Sequence, residues 1–327
     1  MVPTNIARRT GARATAAFRR RLLDWYDANQ RALPWRKTRD PYRIWTSEIM
    51  LQQTRVAAVI DYYKRFLRAF PTLKALARTN EQEVLAQWSG LGYYRRARMM
   101  HAAAKKLVAE KRQIPETSSG LRELPGIGRY TAAAIASIAF GEVAAVVGGN
   151  VERVLLRIAG EDEGLDTWPA AQRLIDSERP GDFNQAMMEL GALICLPKAP
   201  HCGTCPVKRW CGTRGEHMTA KKALRTRATA RYILAINDGK ISLVQRRKAA
   251  RLMPGMWELP PARSASARTA PLLTLRHSIT TTDYVVKVWR GKPPRGSIQS
   301  TAANAAKLPL TGLTRKILQR LQFLTKE

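Results

Sequence analysis

Cys195, Cys202, Cys205 and Cys211 fall within seventeen residues in the pattern C-x6-C-x2-C-x5-C, and the chain has no other cysteine. Four thiolates on one short, irregular loop can wrap an iron–sulfur cluster. Zinc is the nearest rival, but structural zinc sites usually present two close pairs, and only Cys202 and Cys205 form one. Two disulfides would suit a small secreted domain better than a 327-residue chain without a signal peptide. The second chemical signature is Leu124-Pro-Gly-Ile-Gly-Arg-Tyr-Thr131, a tight turn running into an Ala-rich helix pattern. Gly126 and Gly128 let the backbone come close to a ligand, and amides at the following helix start attract an anion. An ordinary helix–turn–helix corner is the alternative reading of that turn.

The charge balance says which anion to consider. The chain carries 56 Lys+Arg against 25 Asp+Glu, a formal net charge of +31. Such an excess repels itself when compact and favours a polyanionic partner, above all nucleic acid, whose counterions it releases. Charge alone leaves ribosomal and solubilising roles open. Hydrophobic residues make up 45%, enough for two cored domains, and no apolar run is long enough for a membrane span. The basic stretch Arg8 to Arg21 runs into an amphipathic helix pattern and reads as an arm, not a targeting peptide.

From Ala16 to Gly215 apolar residues recur at helical spacing, as in Phe18-Leu22-Leu23-Tyr26 and Val59-Tyr62-Tyr63-Phe66, with breaks at Pro34, Pro41, Pro71, Pro115, Pro125 and Pro180. Arg214 to Arg227 lacks that periodicity and reads as a linker. Beyond Arg231 the period shortens: Tyr232–Ile236, Ile241–Val244 and Tyr284–Trp289 read as strands, with Asn237-Asp238-Gly239 as a hairpin turn. The expected fold is therefore mainly α. Residues 1–215 form a helical domain with the cysteine loop 195–211, residues 216–229 a linker, and residues 230–327 a smaller α+β domain.

A helix–hairpin–helix followed by this cysteine pattern resembles the endonuclease III superfamily of DNA glycosylases. Within it, Leu33-Pro-Trp-Arg36, Trp45-Thr-Ser-Glu-Ile-Met-Leu-Gln-Gln-Thr54, Trp88-Ser-Gly-Leu-Gly-Tyr-Tyr94 and Phe183-Asn-Gln-Ala-Met-Met-Glu-Leu-Gly191 resemble the adenine DNA glycosylase (MutY) family. The resemblance spans nearly the whole chain. It implies a two-lobed helix–hairpin–helix domain, with a DNA cleft between a six-helix barrel and a part bearing one [4Fe-4S] cluster on the four cysteines. It also implies a Nudix-like lesion-recognition domain, carried by Arg246-Arg-Lys and Leu252-Met-Pro-Gly-Met-Trp-Glu-Leu-Pro260. No box of clustered glutamates follows, so that domain should recognise rather than hydrolyse.

Base removal requires flipping the nucleotide from the stack. The resemblance assigns Gln53 and Tyr93 to filling the gap, and Gly126, Gly128, Arg129 and Thr131 to DNA contact. Tyr93 taken alone could equally be core. The leaving purine needs a proton. Glu48 lies on an otherwise apolar helix (Ile44, Trp45, Ile49, Met50, Leu51), where burial would raise its pKa and keep it protonated as a general acid. By resemblance Arg31, Leu33, Trp35 and Glu189 line the adenine pocket, although Trp35 could equally be core. The oxocarbenium-like sugar calls for a second carboxylate. The family's D-G-N-V pattern reads Gly148-Gly-Asn-Val151 here, so glycine stands at the aspartate position and Asn150 offers only hydrogen bonds. Neighbouring Glu152 should point elsewhere.

Bifunctional relatives carry lysine where this chain has Tyr130, which implies a monofunctional enzyme without efficient β-elimination. In the C-terminal domain His277, Ser278 and Thr280 are the implied lesion-recognition residues. Thr280 keeps a hydroxyl, and Thr281 replaces the family's histidine. The reading is a repair glycosylase that hydrolyses the N-glycosidic bond of adenine opposite 8-oxoguanine or guanine in double-stranded DNA, with excision impaired at Gly148. It is expected to be a monomer without membrane contact, in the nucleoid-associated cytoplasm of a bacterium. A non-excising lesion-binding protein of the same fold is the alternative, and a thymine or uracil mismatch glycosylase is a third class.

Overall fold

In the computed structural model, which describes residues 11–160, 164–215, 225–262, 270–279 and 281–325, the first two thirds of the chain are helical. The helices are α1 (Ala12–Asn29), α2 (Pro41–Leu51), α3 (Val56–Ala69), α4 (Leu73–Arg78), α5 (Glu81–Trp88), α6 (Arg95–Ala109), α7 (Ser118–Leu121), α8 (Arg129–Phe140), α9 (Gly149–Ala159), α10 (Thr167–Leu174) and α11 (Pro180–Leu193). Their starts follow from side-chain chemistry. Asp40 accepts a hydrogen bond from Arg43 N at 3.0 Å with Pro41 in the first turn, and Thr72, Asn80, Thr117 and Asp166 cap the helices after them.

Backbone contacts divide the chain into two units, 1–64 with 106–220 and 65–105 with 221–327. That residues 65–105 group with the C-terminal part is invisible in the hydropathy pattern. In the first unit Phe18, Leu22 and Tyr26 of α1 meet Val154, Leu155 and Ile158 of α9 and Phe183, Met187 and Leu190 of α11. The Phe18 ring also stands edge-on to Trp210 at 5.5 Å, which ties the cysteine loop to this core. Helix α8 is rich in alanine, so it packs closely against α2 and α11. A Cβ on Gly181 of α11 would lie 2.7 Å from the Ser137 carbonyl.

The extended chain between α8 and α9 is held by one buried amide. Asn184 Nδ2 donates to Ser137 Oγ and to Ala144 O, both at 2.9 Å, and Asn184 Oδ1 accepts from Val146 N at 3.0 Å. This clamp sets where residue 148 emerges.

The second unit carries the sheets β1 (Thr226–Leu234), β2 (Ile236–Asn237), β3 (Lys240–Gln245), β4 (Trp257–Glu258), β5 (Leu273–Ile279), β6 (Thr282–Arg290) and β7 (Ile298–Ser300), then α12 (Ala302–Lys307) and α13 (Gly312–Arg320). One sheet runs β1-β6-β5, with β1 parallel to β6; in the other, β3 pairs with β2, β4 and β7. The hairpin between β2 and β3 turns at Asp238 and Gly239, both at positive φ (46° and 71°), as a two-residue loop matching strand twist requires. Ile241, Leu243, Val286 and Val288 meet Ile317 and Leu318 of α13 in its core. The segment expected as linker, 216–229, is corrected in part. Strand β1 already begins at Thr226, because its alternating half-buried side chains pair along β6 from Thr282; residues 216–224 lie outside the described ones. Among the described residues no helix is long and apolar enough to cross a membrane.

Truncating the clamp leaves buried donors and acceptors unpaired. Asn184→Ala should cost about 2–3 kcal/mol of stability, measured by thermal or denaturant unfolding. A change below about 0.5 kcal/mol would contradict the role given to that amide.

Candidate active site

A cavity of about 590 Å³ opens between the turn at Pro34–Lys37, α2, α8, the start of α9, and α11. Glu48, on α2, lines it at 6% exposure. Burial pushes its carboxyl up to about 7, against the opposing influence of Arg36. Glu189, on α11, lines the same cavity at 1% exposure and behaves in the opposite way. Burial alone would raise it, but hydrogen bonds from Arg31 and Arg36 outweigh burial and hold it near 2. Arg31 Nε reaches Glu189 Oε1 at 2.8 Å, and Arg36 Nη1 and Nη2 reach the two carboxylate oxygens at 3.0 and 2.9 Å. Two carboxyls in one cavity thus have separated tasks, one fixed as an anion and one able to carry a proton near neutrality. Leu33 and Trp35 line this cavity too, and the Trp35 ring stands edge-on to Tyr63 at 5.3 Å, so Trp35 is both pocket wall and core.

Tyr130 reaches the cavity from the first turn of α8. Burial, then the charge of Glu48, push its phenol above the ordinary range, and its hydroxyl donates to Met188 Sδ at 3.0 Å. Its ring explains what glycine does at position 148. A Cβ built there would meet Tyr130 Cε2 at 2.8 Å and Cδ2 at 3.3 Å, so the ring lies where a side chain at 148 would start. Glu152 is exposed and does not line the cavity. Asn150 does line it, and its Oδ1 accepts from Arg153 Nη2 at 2.9 Å. The same arginine donates from Nε to the Cys195 carbonyl at 2.8 Å.

The four cysteines are unpaired and line one small cavity. Arg157, 2% exposed, donates from Nη1 to Cys195 Sγ at 3.2 Å, and Arg214 N donates to Cys211 Sγ at 3.3 Å. The Arg157 Nε is buried and has no hydrogen-bond partner. Among the described residues no three His, Cys, Asp or Glu groups stand close enough to hold a single metal ion.

Of the residues expected at DNA, Gln53 and Tyr93 both have left-handed backbones, φ 55° and 49°, which non-glycine residues rarely adopt and which cluster at functional sites. Gly126 needs its glycine, with φ 80°; Gly128 has an ordinary φ and serves as the N-cap of α8. Arg129 is exposed and stacks on Trp168, 3.8 Å from the ring centroid. Thr131 is a correction. It is 2% exposed, and its hydroxyl accepts from Gln52 Nε2 at 3.0 Å, because the third residue of α8 faces α2. His277 is half-buried, and burial followed by the charge of Lys316 lowers its pKa. Ser278 donates its hydroxyl to Asp283, and Thr280 lies outside the described residues.

Sequence reasoning gave no role to Arg36, Arg153, Arg157 or Met188. A signal existed for one of them. Arg157 sits among Val154, Leu155 and Ile158 on the buried face of α9, where an arginine needs a buried partner.

The raised Glu48 pKa has a testable sign. Native stability from this group is fully present below about pH 4.5 and declines as pH rises through about 7, because the folded state resists losing the proton. Glu48→Gln should therefore unfold later than wild type at pH 8, by up to about 3 kcal/mol, and equally at pH 4. Equal stability at pH 8 would contradict the burial account.

Comparisons with known proteins bear on the family. The family described as HhH-GPD superfamily base excision DNA repair protein matches residues 46–174, from α2 through α10. An adenine DNA glycosylase of Rattus norvegicus is 51% identical over 212 residues, covering 60% of this chain and 41% of its own length. One from Arabidopsis thaliana is 40% identical over 299 residues, covering 75% of this chain and 47% of its own length. The chain thus spans under half the length of these two relatives. A solved thermostable thymine-DNA glycosylase is 30% identical with a TM-score of 0.57, over 61% of this chain and 96% of that one. The chain belongs to the HhH-GPD superfamily of base-excision DNA repair proteins, and among them it is similar to the adenine DNA glycosylases.

Proposed function

We propose that this chain is a monofunctional DNA glycosylase acting on adenine opposite 8-oxoguanine or guanine, with excision slowed by glycine at position 148. The observation that carries the reading is Glu48, a buried carboxyl with a pKa near 7 in a cavity large enough for a purine. Its carboxyl gives a proton to a ring nitrogen of the flipped adenine. The bond from C1′ to the purine then breaks, with its electron pair leaving on the neutral base. The sugar is left as an oxocarbenium ion, which a water traps, releasing a proton. Arg31, Leu33, Trp35 and the Arg-bound Glu189 hold the base; Tyr130 and Asn150 border the sugar side. With tyrosine at 130 there is no amine at that position to form a Schiff base, so strand cleavage is not expected.

The missing carboxylate bears on the oxocarbenium step. Gly148→Asp should raise the single-turnover rate on adenine opposite 8-oxoguanine by about a hundredfold or more, provided the Tyr130 ring turns aside; Gly148→Asp/Tyr130→Ser supplies the room directly. Glu48→Gln should abolish whatever release occurs, and the wild-type rate should fall as pH rises through about 7. Equal rates for wild type, Gly148→Asp and the double variant would contradict the assignment. The same glycine favours a second reading, a lesion-binding protein of this fold that does not excise. It predicts tight binding with no release in any wild-type assay.

Cys195, Cys202, Cys205 and Cys211 would hold a [4Fe-4S] cluster. A buried guanidinium and a backbone amide directed at the sulfurs suit an anionic, thiolate-bound occupant. When bound, the cluster supplies a structural tie for the loop. Purified protein should contain about four irons per chain and a visible sulfur-to-iron band. Stoichiometric zinc without iron would contradict it. The partner is double-stranded DNA, and the C-terminal unit is assigned to a Nudix-like lesion reader with His277 and Ser278.

A further inference from the structure

The second unit contains a joint that the chemistry above does not use. The turn from Ser89 to Tyr94, between α5 and α6, belongs to the same unit as the C-terminal α+β region. Tyr93, at its tip, is 46% exposed and held at φ 49°. Strain of this kind lasts only where the surroundings over-determine the backbone.

Those surroundings are specific. Trp88 Nε1 and Arg96 Nη2 both donate to the Gly92 carbonyl at 3.1 Å, and the Arg96 guanidinium lies 5.5 and 5.4 Å from the centroids of the Trp88 and Tyr93 rings. Below the tip, fully buried Ser89 donates its hydroxyl to the Leu310 carbonyl at 2.7 Å. Tyr94 donates to the same carbonyl at 3.3 Å and accepts from Gly90 N at 3.2 Å. Arg315 Nε, from α13, donates to Ser89 Oγ at 3.1 Å. Leu310 is itself fixed, since Trp257 N donates to Pro309 O and Thr311 N to Trp257 O, both at 2.9 Å. One carbonyl of the C-terminal region therefore receives hydroxyls from both ends of the turn. An exposed aromatic held rigidly beside Arg95 and Arg96, in a chain of net charge +31, suits stacking on a nucleobase.

We propose that the C-terminal region positions Tyr93. The Leu310 carbonyl and Arg315, acting through Ser89 and Tyr94, hold the turn so that the tyrosine ring wedges into stacked DNA and favours extrusion of the target nucleotide. Ser89, Tyr94 and Arg315 are positioning residues, and Tyr93 is the group that touches DNA. The inference rests on the proposed function, because it needs a duplex to wedge.

The test uses the full chain and a duplex with 2-aminopurine in place of the target adenine opposite 8-oxoguanine, whose fluorescence rises on unstacking. Ser89→Ala/Tyr94→Phe should cut the rise at saturating protein about fivefold or more, with duplex affinity near wild type and the chain still folded at the assay temperature. Arg315→Met, made from the other side of the joint, should lose the signal in the same way. Tyr93→Ala should lose it too, and adding Ser89→Ala/Tyr94→Phe to Tyr93→Ala should change nothing further. A wild-type rise in Ser89→Ala/Tyr94→Phe and in Arg315→Met, or losses that add to that of Tyr93→Ala, would overturn the inference. Wild type that binds the duplex without any rise would overturn it as well. Failure of wild type to bind the duplex at all would instead remove the proposed function, and the wedge with it.

Discussion

The site depends on how two arginines are shared between two buried carboxyls. A carboxyl buried beside a guanidinium normally ionises, because the pair offsets its own desolvation. Here Arg31 and Arg36 send their hydrogen bonds to Glu189, and Arg36 acts on Glu48 only through space. Glu189 is thereby fixed as an anion that orders both arginines in the cavity wall. Glu48 is left with burial as the dominant influence, and so with a proton near neutral pH. The cost is borne by the rest of the unit, whose α1–α9–α11 core holds the cavity walls in place.

Position 148 is where the local fold and the family chemistry part. The Asn184 clamp delivers the chain to the start of α9, at the residue where the family pattern has aspartate. The Tyr130 ring lies over the backbone at this glycine, and its hydroxyl donates to Met188. A side chain at 148 and the Tyr130 ring, as placed here, compete for the same space. A single substitution that restores the acid must also displace an aromatic side chain.

Much of this was legible in the sequence, for identifiable reasons. Apolar spacing along α1 marked a helix whose buried residues are those the periodicity indicates, and Glu48 stood out as the one acid in an apolar run. The hairpin at Asp238-Gly239 was readable because only a narrow set of residues tolerates two positive φ values. Long-range pairing was not readable. Nothing local says that Glu189 captures Arg36 across 153 positions, that Thr131 faces Gln52, or that residues 65–105 associate with the C-terminal strands. The early start of β1 escaped for a similar reason. Thr226 to Ala230 are polar or small, and partnership with β6, rather than hydropathy, makes them a strand.

The account turns on a proton held by Glu48 at physiological pH. The most direct measurement is the carboxyl carbon shift of Glu48 by ¹³C nuclear magnetic resonance, titrated with and without Arg36→Met. The account predicts an apparent pKa near 7, rising further when the arginine is removed. A midpoint near the ordinary 4.5 of a solvated glutamate, unmoved by Arg36→Met, would contradict it.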